Sequence, residues 1–315
     1  MPVNRMRLWV TVFAGLCVML MLWPGALPVS AQAGCALPDD SRGQTTVYTL
    51  SVDGVERSYR LYLPDTPPDG ERYPLVLTLH GFASGAPEQE AYSQWNRLAE
   101  SYGLMAVYPQ GLGEPARWNS GSIGLLGLIA PNTADDVGFL SALIDALVQT
   151  GCVDTARVYI NGLSNGGGMS NRFACQMADT VAAFGSVAGA YGSFGECAPA
   201  RPMPVIAFHG TADRIVPYDG QFGILPPVED WAREWAERDG CTITEADVFI
   251  ADDVSMTSYS GCDADVEVVL YTVAEGGHTW PGSTAVNRSP LGRITDSIDA
   301  SEAMWAFFSR YTLPG

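Results

Sequence analysis

Two patterns of apolar positions divide this chain into predicted strands and helices. Short runs in which almost every residue is apolar, such as Leu75–Leu79 and Leu104–Tyr108, predict strands that are buried on both faces. A longer segment with apolar residues three and four positions apart, Asp136–Gln149, predicts a helix. The other predicted strands are Thr46–Val52, Ser58–Leu63, Val158–Ile160, Ala183–Val187, Val205–Phe208 and Val266–Val273, and the other predicted helices are Glu88–Ser101, Asn165–Met177, Val228–Asp239 and Asp296–Ser309.

Strands and helices therefore alternate along most of the chain. This alternation is typical of an α/β fold with a mostly parallel central sheet and helices on both faces. With 315 residues, 47% of them hydrophobic, the chain is long enough for one such domain. In sheets of this kind, sites form where strands reach their carboxyl ends.

The N-terminus is typical of an export signal. Met1–Arg7 carries two arginines and no acid, Leu8–Trp23 is almost wholly apolar, and Ala31–Ala33 offers small residues for cleavage. The apolar run has 16 residues, fewer than the roughly 20 of a membrane span. We therefore predict a signal peptide at 1–33, a secreted mature chain at 34–315, and no stable membrane span after cleavage. An uncleaved anchor is the alternative.

Cysteine usage agrees with export. Cys17 falls in the predicted signal, and the other six form an even set, which in an exported protein indicates three disulfides. Six cysteines allow 15 pairings. Cys241 and Cys262 flank one segment before the last predicted strand and are the favoured pair; Cys175 with Cys197 is plausible, which leaves Cys35 with Cys152. Lipidation of Cys35 is an alternative for that residue. None of the cysteines has metal-ligand spacing, so no metal site is predicted.

The charge balance excludes one class of partner. The formal net charge is −18, and all 17 basic residues are arginines scattered along the chain. An acidic surface without a basic run repels nucleic acid, so no nucleic-acid partner is predicted.

Gly162-Leu163-Ser164-Asn165-Gly166 matches the pattern G-x-S-x-G. In α/β-hydrolases this pattern forms a sharp turn between a strand and a helix and exposes a nucleophilic serine, and small neighbours prevent steric clash there. The predicted strand Val158–Ile160 precedes the motif and a predicted helix follows it, as the turn requires. We predict Ser164 as a nucleophile; a structural glycine turn is the alternative.

A serine hydroxyl needs a base, and the chain has only three histidines. The α/β-hydrolase order is serine, acid, histidine, and His278 alone lies after an acid that follows Ser164. Asp213, directly after the predicted strand Val205–Phe208, is the predicted acid that orients His278. Asp219 is its nearest rival, and a turn-forming aspartate without a catalytic role is the alternative. The two remaining histidines are predicted to support neighbouring loops through hydrogen bonds: His80 and His209.

The tetrahedral intermediate of ester hydrolysis needs two N–H donors for its oxyanion. One is predicted from Asn165, which follows the nucleophile, and the other from Phe82 in the loop after an early strand. The apolar, glycine-rich stretch Ile123–Ile129 is either a loop over the site or a packed surface loop. Asp135 and Asp136 are predicted to begin a helix, where acids favour the helix dipole.

The motifs together resemble the polyhydroxybutyrate depolymerase-like esterases, a family of secreted α/β-hydrolases that includes feruloyl and acetylxylan esterases. The resemblance runs from about Val47 to Phe308 and implies Ser164, Asp213 and His278 as the triad, with Trp280 bordering the substrate cleft. It is carried by Leu79-His80-Gly81-Phe82, Tyr108-Pro109-Gln110-Gly111, Asp135-Asp136-Val137-Gly138-Phe139, Gly162-Leu163-Ser164-Asn165-Gly166-Gly167, His209-Gly210-Thr211-Ala212-Asp213 and, most specifically, Gly277-His278-Thr279-Trp280-Pro281-Gly282.

We therefore expect 34–315 to be a single α/β-hydrolase catalytic domain, a monomer without cofactor. The expected activity is a serine carboxylesterase that hydrolyses feruloyl or acetyl esters of plant cell-wall polysaccharide through an acyl-enzyme. An extracellular depolymerase of short-chain polyhydroxyalkanoate is the alternative, with a possibly polymeric ester as substrate in either case. A non-catalytic secreted binding protein is the alternative from another class, because fold alone does not establish activity.

Overall fold

The structure of the protein is a computed structural model that describes residues 35–37, 41–66, 72–121, 133–284 and 291–314. The predicted signal peptide at 1–33 and the apolar stretch Ile123–Ile129 lie outside the described residues. One compact unit extends from Gly34 to Gly315. Within the ranges given, no helix combines the length and the apolar character that crossing a bilayer requires.

The described strands form a single mixed sheet in the order β1-β2-β4-β3-β5-β6-β7-β10-β9-β8. Its central strands, from β4 to β10 in this order, run parallel, and antiparallel strands extend it at both ends. This confirms the predicted mostly parallel sheet. The strands are β1 (Gln44–Val52), β2 (Val55–Leu63), β3 (Tyr73–Leu79), β4 (Met105–Pro109), β5 (Val153–Gly162), β6 (Ala183–Val187), β7 (Val205–Gly210), β8 (Ile243–Ala251), β9 (Val254–Ser260) and β10 (Val268–Val273).

Helices cover both faces of the sheet because side chains alternate along each strand. Leu75 and Leu77 of β3 belong to one buried cluster, whereas Val76 between them belongs to the other. Residues of α3, α4 and α5 pack in the first cluster, and residues of α1, α2 and α6 pack in the second. The described α-helices are α1 (Ala86–Ser93), α2 (Trp95–Tyr102), α3 (Asp136–Gln149), α4 (Asn165–Gln176), α5 (Val228–Arg238) and α6 (Ala300–Phe308).

The start of α3 is capped as predicted from its two acids. Asp135 is the N-cap, and its Oδ1 accepts from Gly138 N at 2.9 Å. Asp136 is buried and forms an ion pair with Arg57 at 2.7 Å, while its other oxygen accepts from Asn119 N. Both acids are therefore engaged in structure, in agreement with the prediction.

The predicted helix Glu88–Ser101 is in fact two helices. Gln94 separates α1 from α2 with φ 55°, a left-handed conformation that ends the first helix. The break places Trp95 at the start of α2, where its ring is fully buried and stacks on Phe308 at 6.3 Å. Periodicity cannot show such a break, because its cause is the packing of a distant helix.

All three predicted disulfides are present. They join Cys35 to Cys152, Cys175 to Cys197 and Cys241 to Cys262. The last of them closes the base of the β8–β9 hairpin, a pair of strands that the sequence pattern did not predict. Residues of β8 are almost all exposed, so that strand lacks the buried apolar alternation on which strand prediction depends.

Candidate active site

Ser164 lies on a sharp turn between β5 and α4. Its backbone has φ 57° and ψ −117°, a conformation that residues other than glycine rarely adopt. The Ser164 N–H donates to Val187 O at 2.9 Å and ties the turn to β6. A Cβ atom on Gly166 would lie 2.3 Å from Leu79 O, so glycine is required for α4 to approach β3 this closely. This is the geometry expected of a nucleophile elbow.

Asp213 and His278 form a buried pair at the carboxyl ends of β7 and β10. His278 Nδ1 lies 2.7 Å from Asp213 Oδ2, and the two side chains are almost completely buried. The other oxygen, Oδ1, accepts from Ile215 N at 2.8 Å and Val216 N at 2.9 Å. Because an ionised carboxylate only accepts, Nδ1 of His278 carries the proton and Nε2 of the neutral ring is left as a base.

The electrostatics of this pair favour an ionised carboxylate. Burial raises the pKa of Asp213, but hydrogen bonds from His209 and His278, the charge of His278 and the bond from Val216 N lower it further than burial raises it. The net result is a pKa well below the usual range of an aspartate. Asp213 is therefore charged at every pH at which the enzyme would work, and it can stabilise an imidazolium on His278.

Ser164 reaches the same edge of the sheet as this pair. Ser164, Asp213 and His278 follow strands β5, β7 and β10, and they are 8%, 5% and 4% exposed. Among the described residues, no hydrogen bond joins Ser164 Oγ to His278. The structure thus places the acid and the base in contact and the serine at their edge of the sheet. Bonds between nucleophile and base often tighten only around a substrate, so the three catalytic roles stay predictions.

The two predicted oxyanion donors flank Ser164. A Cβ atom on Gly81 would lie 3.4 Å from Ser164 Cβ and 4.0 Å from its Oγ, so the Gly81–Phe82 peptide abuts the nucleophile. Asn165 N begins α4, where helix N–H groups have no acceptor within the helix. In the described part of the chain, neither Phe82 N nor Asn165 N has a protein acceptor. Both N–H groups are therefore free to bind a ligand oxygen.

Known proteins share these features. Residues 57–219 match the profile of the family described as Esterase PHB depolymerase. The chain is 34% identical over 275 residues to the NocK protein of Nocardia uniformis subsp. tsuyamanensis. The aligned region covers 80% of this chain and 78% of that protein. The chain belongs to the Esterase PHB depolymerase family. It is therefore an ester hydrolase.

Other members and structural neighbours differ in length and similarity. The chain is 32% identical over 219 residues to feruloyl esterase B of Piromyces equi, covering 65% of this chain but 39% of that protein. Among solved structures, an acetyl xylan esterase from Aspergillus awamori aligns with a TM-score of 0.58, at 15% identity and over 84% of this chain and 99% of that one. At that identity the likeness shows the fold alone.

In this member of the family, His80 anchors the loop that carries Phe82. His80 Nδ1 donates to Gly81 O at 2.8 Å, and Nε2 accepts from Gly111 N at 2.9 Å. Gly81 O and Phe82 N belong to one peptide plane, so the bond to that oxygen also fixes the direction of the Phe82 N–H. Burial lowers the pKa of His80, which keeps the ring neutral and able to accept from Gly111. This agrees with the loop-supporting role predicted for His80.

Asn165 is held on the other side of the nucleophile by its side chain. Its Oδ1 accepts from Trp118 N at 2.6 Å, and its Nδ2 donates to Ser120 Oγ at 2.8 Å and to Trp118 O at 3.1 Å. Trp118 in turn donates its indole N–H to His80 O at 2.9 Å. One hydrogen-bonded network therefore holds both predicted oxyanion donors.

His209 contacts the acid, a link that sequence reasoning did not predict. Its Nε2 lies 2.8 Å from Val216 O and 3.4 Å from Asp213 Oδ2, and the ring is buried. Because the Val216 carbonyl only accepts, Nε2 carries the proton and points it toward the acid loop. The spacing of His209 and Asp213, four residues apart, is a signal that could have found this contact, but only with knowledge that the loop curls back.

Trp280 is buried, whereas the family resemblance implies a place at the border of the substrate cleft. Its ring is 3% exposed and belongs to the core cluster beneath α6. The indole N–H donates to Ser301 Oγ at 3.1 Å, which satisfies the one polar atom of the buried ring. Trp280 therefore supports the segment that follows His278, and its ring offers a substrate almost no surface. Among the described residues, no group of three or more His, Cys, Asp or Glu is placed to hold a metal ion.

Proposed function

We propose that this chain is a secreted serine carboxylesterase that forms an acyl-enzyme on Ser164, with His278 as base and Asp213 as the residue that orients it. The observation that carries the proposal is the buried 2.7 Å contact between His278 Nδ1 and Asp213 Oδ2, at the sheet edge that also presents the Ser164 turn. A charged acid, a correctly protonated imidazole and a strained serine turn form one constellation that the chemistry of acyl transfer needs.

The proposed reaction has two steps at Ser164. His278 Nε2 takes the hydroxyl proton as Ser164 Oγ attacks the ester carbonyl carbon, and the carbonyl oxygen becomes an oxyanion. The N–H groups of Phe82 and Asn165 donate to that oxygen. The tetrahedral species expels the alcohol, which receives the proton from His278. Water then attacks the acyl-enzyme by the same route, with His278 as base, and releases the acid.

We further propose feruloyl or acetyl esters of plant cell-wall polysaccharide as substrates. Support comes from relatives named as feruloyl esterases, among them feruloyl esterase C of Emericella nidulans, which is 26% identical over 277 residues. Three disulfides support secretion, because such bonds persist outside the reducing cytosol. Together these features favour an extracellular enzyme that acts on ester substituents of plant polymers.

A polyester depolymerase is a second candidate. The description of the matching family names PHB depolymerase, and the same serine chemistry would cleave an aliphatic polyester. The two candidates differ in the acyl group that must fit beside Ser164. A panel of methyl ferulate, acetylated xylan and polyhydroxybutyrate separates them, and we expect hydrolysis of the first or second to exceed that of the third.

The catalytic proposal is tested by hydrolysis of p-nitrophenyl acetate and p-nitrophenyl butyrate. We expect wild type to hydrolyse both esters and Ser164→Ala to lose that activity while keeping its fold. Ser51→Ala, which removes an exposed hydroxyl on β1, is the matched control and should retain full activity. Full activity of Ser164→Ala would contradict the proposal and favour a different nucleophile, and absence of hydrolysis by wild type would favour a non-catalytic binding protein.

A further inference from the structure

A groove of about 540 Å³ lies between two segments of chain. One wall contains Tyr191 and Ser193, and the other is formed by residues from Asp219 to Pro227. Its lining is mainly apolar, and its volume falls within the range of small-ligand sites. We call this space the Phe222 groove.

The first wall is attached to the nucleophile. Ala190, which directly precedes Tyr191, donates its N–H to Ser164 O at 3.0 Å. Tyr191 is rigidly held, because its ring stacks on Trp231 with centroids 3.9 Å apart and its hydroxyl donates to Ser186 Oγ at 3.0 Å. This wall is therefore a fixed surface that starts one residue after the bond to Ser164.

The second wall is attached to the acid. Val216, whose N–H donates to Asp213 Oδ1, packs with Leu225 and Ala190 in one small buried cluster. That cluster joins the two walls beneath the groove. The two walls of the groove are thus tied to the segments that carry Ser164 and Asp213.

Phe222 stands at the tip of a tight turn on the second wall. The turn is closed by bonds in both directions between Gln221 and Leu225, each 2.9 Å long. This backbone presents the Phe222 ring fully to solvent, although the turn itself is well tied. An exposed aromatic ring at the rim of an apolar groove is a surface that a flat apolar ligand can cover.

We propose that the Phe222 groove binds the aromatic acyl group of the ester and that Phe222 determines specificity for it. This inference rests on the proposed esterase function and adds to it a site for the acyl ring. The ring would lie against Phe222 and the wall at Tyr191. The polar side chains at the rim, Ser193, Asp219 and Gln221, suit a phenolic hydroxyl. An acetyl group carries a single methyl and has no ring to reach Phe222.

The test compares Phe222→Ala with wild type on three esters. Methyl ferulate carries the ring on the acyl side, phenyl acetate carries it on the alcohol side, and methyl acetate has none. We expect kcat/KM for methyl ferulate to fall about tenfold or more, mainly through KM, since stacking and burial of one ring are lost. Both acetates should change by less than about twofold. Phe222→Tyr should restore methyl ferulate hydrolysis.

Phe249→Ala is the matched control, because Phe249 is also strongly exposed but lies on β8 at the end of the sheet. This variant should leave kcat/KM unchanged for all three esters. Ferulic acid is a second probe: as a competitive inhibitor of phenyl acetate hydrolysis, it should bind Phe222→Ala about tenfold more weakly than wild type.

Two results would overturn the groove assignment. One is an unchanged kcat/KM for methyl ferulate together with an unchanged inhibition constant for ferulic acid. The other is an equal fall in kcat/KM for methyl ferulate and both acetates. Phe222 would then stabilise the whole site or contact the alcohol group rather than bind the acyl ring. Failure of the proposed function is distinct, because it would appear as full activity of Ser164→Ala on every ester.

Discussion

The two sides of the candidate site both depend on a buried histidine, but the two rings have different partners. On the base side, His278 donates to the carboxylate of Asp213. On the oxyanion side, His80 donates to Gly81 O and accepts from Gly111 N, and the side-chain amide of Gln110 lies 3.4 Å from its Nε2. A ring beside a carboxylate can gain a proton and be stabilised as a cation. Among the described residues no carboxylate bonds to the His80 ring, and burial lowers its pKa more than the Gly81 carbonyl and the charge of Glu88 raise it.

The difference in partners fits different roles: His278 would transfer protons, whereas His80 would hold the loop of an oxyanion donor in place. In the proposed mechanism the base side must change its protonation state in every turnover, and its partner is a charged acid whose pKa is held low. The oxyanion side must present two N–H groups in fixed positions. Its histidine, His80, stays neutral and holds the Gly81–Phe82 peptide in place through hydrogen bonds. Variants on the base side should therefore change how activity depends on pH, whereas variants on the oxyanion side should lower it equally at every pH.

The largest effects are expected for the nucleophile and the base. Ser164→Ala and His278→Ala should each lower kcat by about 10⁴-fold or more, and the double variant should be little worse than either, because the two groups act as one unit. Steady-state hydrolysis of p-nitrophenyl butyrate checks this expectation. Losses that multiply in the double variant would mean that Ser164 and His278 act independently.

Asp213→Asn should cost somewhat less, about 10³–10⁴-fold in kcat. The amide removes the charge that stabilises an imidazolium and allows His278 to adopt the other tautomer. Comparison of kcat across pH 5–9 for this variant and wild type provides the measurement. An activity close to that of wild type would assign the acid to another residue, with Asp219 as the first candidate.

His80→Leu should lower kcat by about 10²-fold and leave KM nearly unchanged, because the Phe82 N–H loses the bond that directs it. The loss should be the same from pH 5 to 9. His80→Asn, whose amide can still donate to Gly81 O, should recover part of it. A shift of the pH profile in His80→Leu would contradict the positioning role of His80, since it would place His80 among the groups that titrate during turnover.

His209→Leu should lower kcat/KM by about tenfold, because one of the donors that hold Asp213 and its loop is lost. His209→Gln keeps an N–H donor and should lose much less. With fewer donors on Asp213, more of its charge acts on His278, so the acid limb of the pH profile should move to higher pH in His209→Leu. A pH profile that is unchanged in both variants would reduce His209 to a packing role.

The smallest expected effect concerns stability in acid. The pKa of His80 is lowered in the fold from its ordinary value of 6.5, so below that pH the unfolded chain binds a proton that the folded chain does not. Stability should therefore fall as pH drops below about 6.5, and His80→Asn should lose less of it. Urea unfolding at pH 5 and pH 8 checks this. An equal loss in variant and wild type would contradict a buried neutral His80.

Local signals account for what the sequence could predict. The Ser164 turn is set by its neighbouring glycines, and Asp213 and His278 each follow a strand whose carboxyl end reaches the same edge. Apolar runs and periodicity located the central strands for the same reason, because burial on both faces requires them. The disulfide between Cys241 and Cys262 was predictable because the two cysteines flank one segment, and the pair Cys35–Cys152 was left once Cys175 was paired with Cys197.

The remaining features depend on contacts between distant segments. The Gln94 break between two helices serves the burial of Trp95 against α6, and the β8–β9 hairpin has an exposed strand without apolar alternation. Trp280 was assigned by family resemblance to a cleft, yet α6 covers its ring. The link from His209 to Asp213 arises from the curl of one loop. Apart from the four-residue spacing of His209 and Asp213, none of these features has a signature within a single window of sequence.

Covalent labelling tests the central claim most directly. Diethyl p-nitrophenyl phosphate phosphorylates an activated serine and releases one p-nitrophenolate, which can be counted. We predict one equivalent of p-nitrophenolate, loss of esterase activity in parallel, and a diethylphosphoryl group on Ser164 in peptide mass spectra. The label should form far more slowly in His278→Ala. Complete inactivation with the label on another residue, and none on Ser164, would contradict the account.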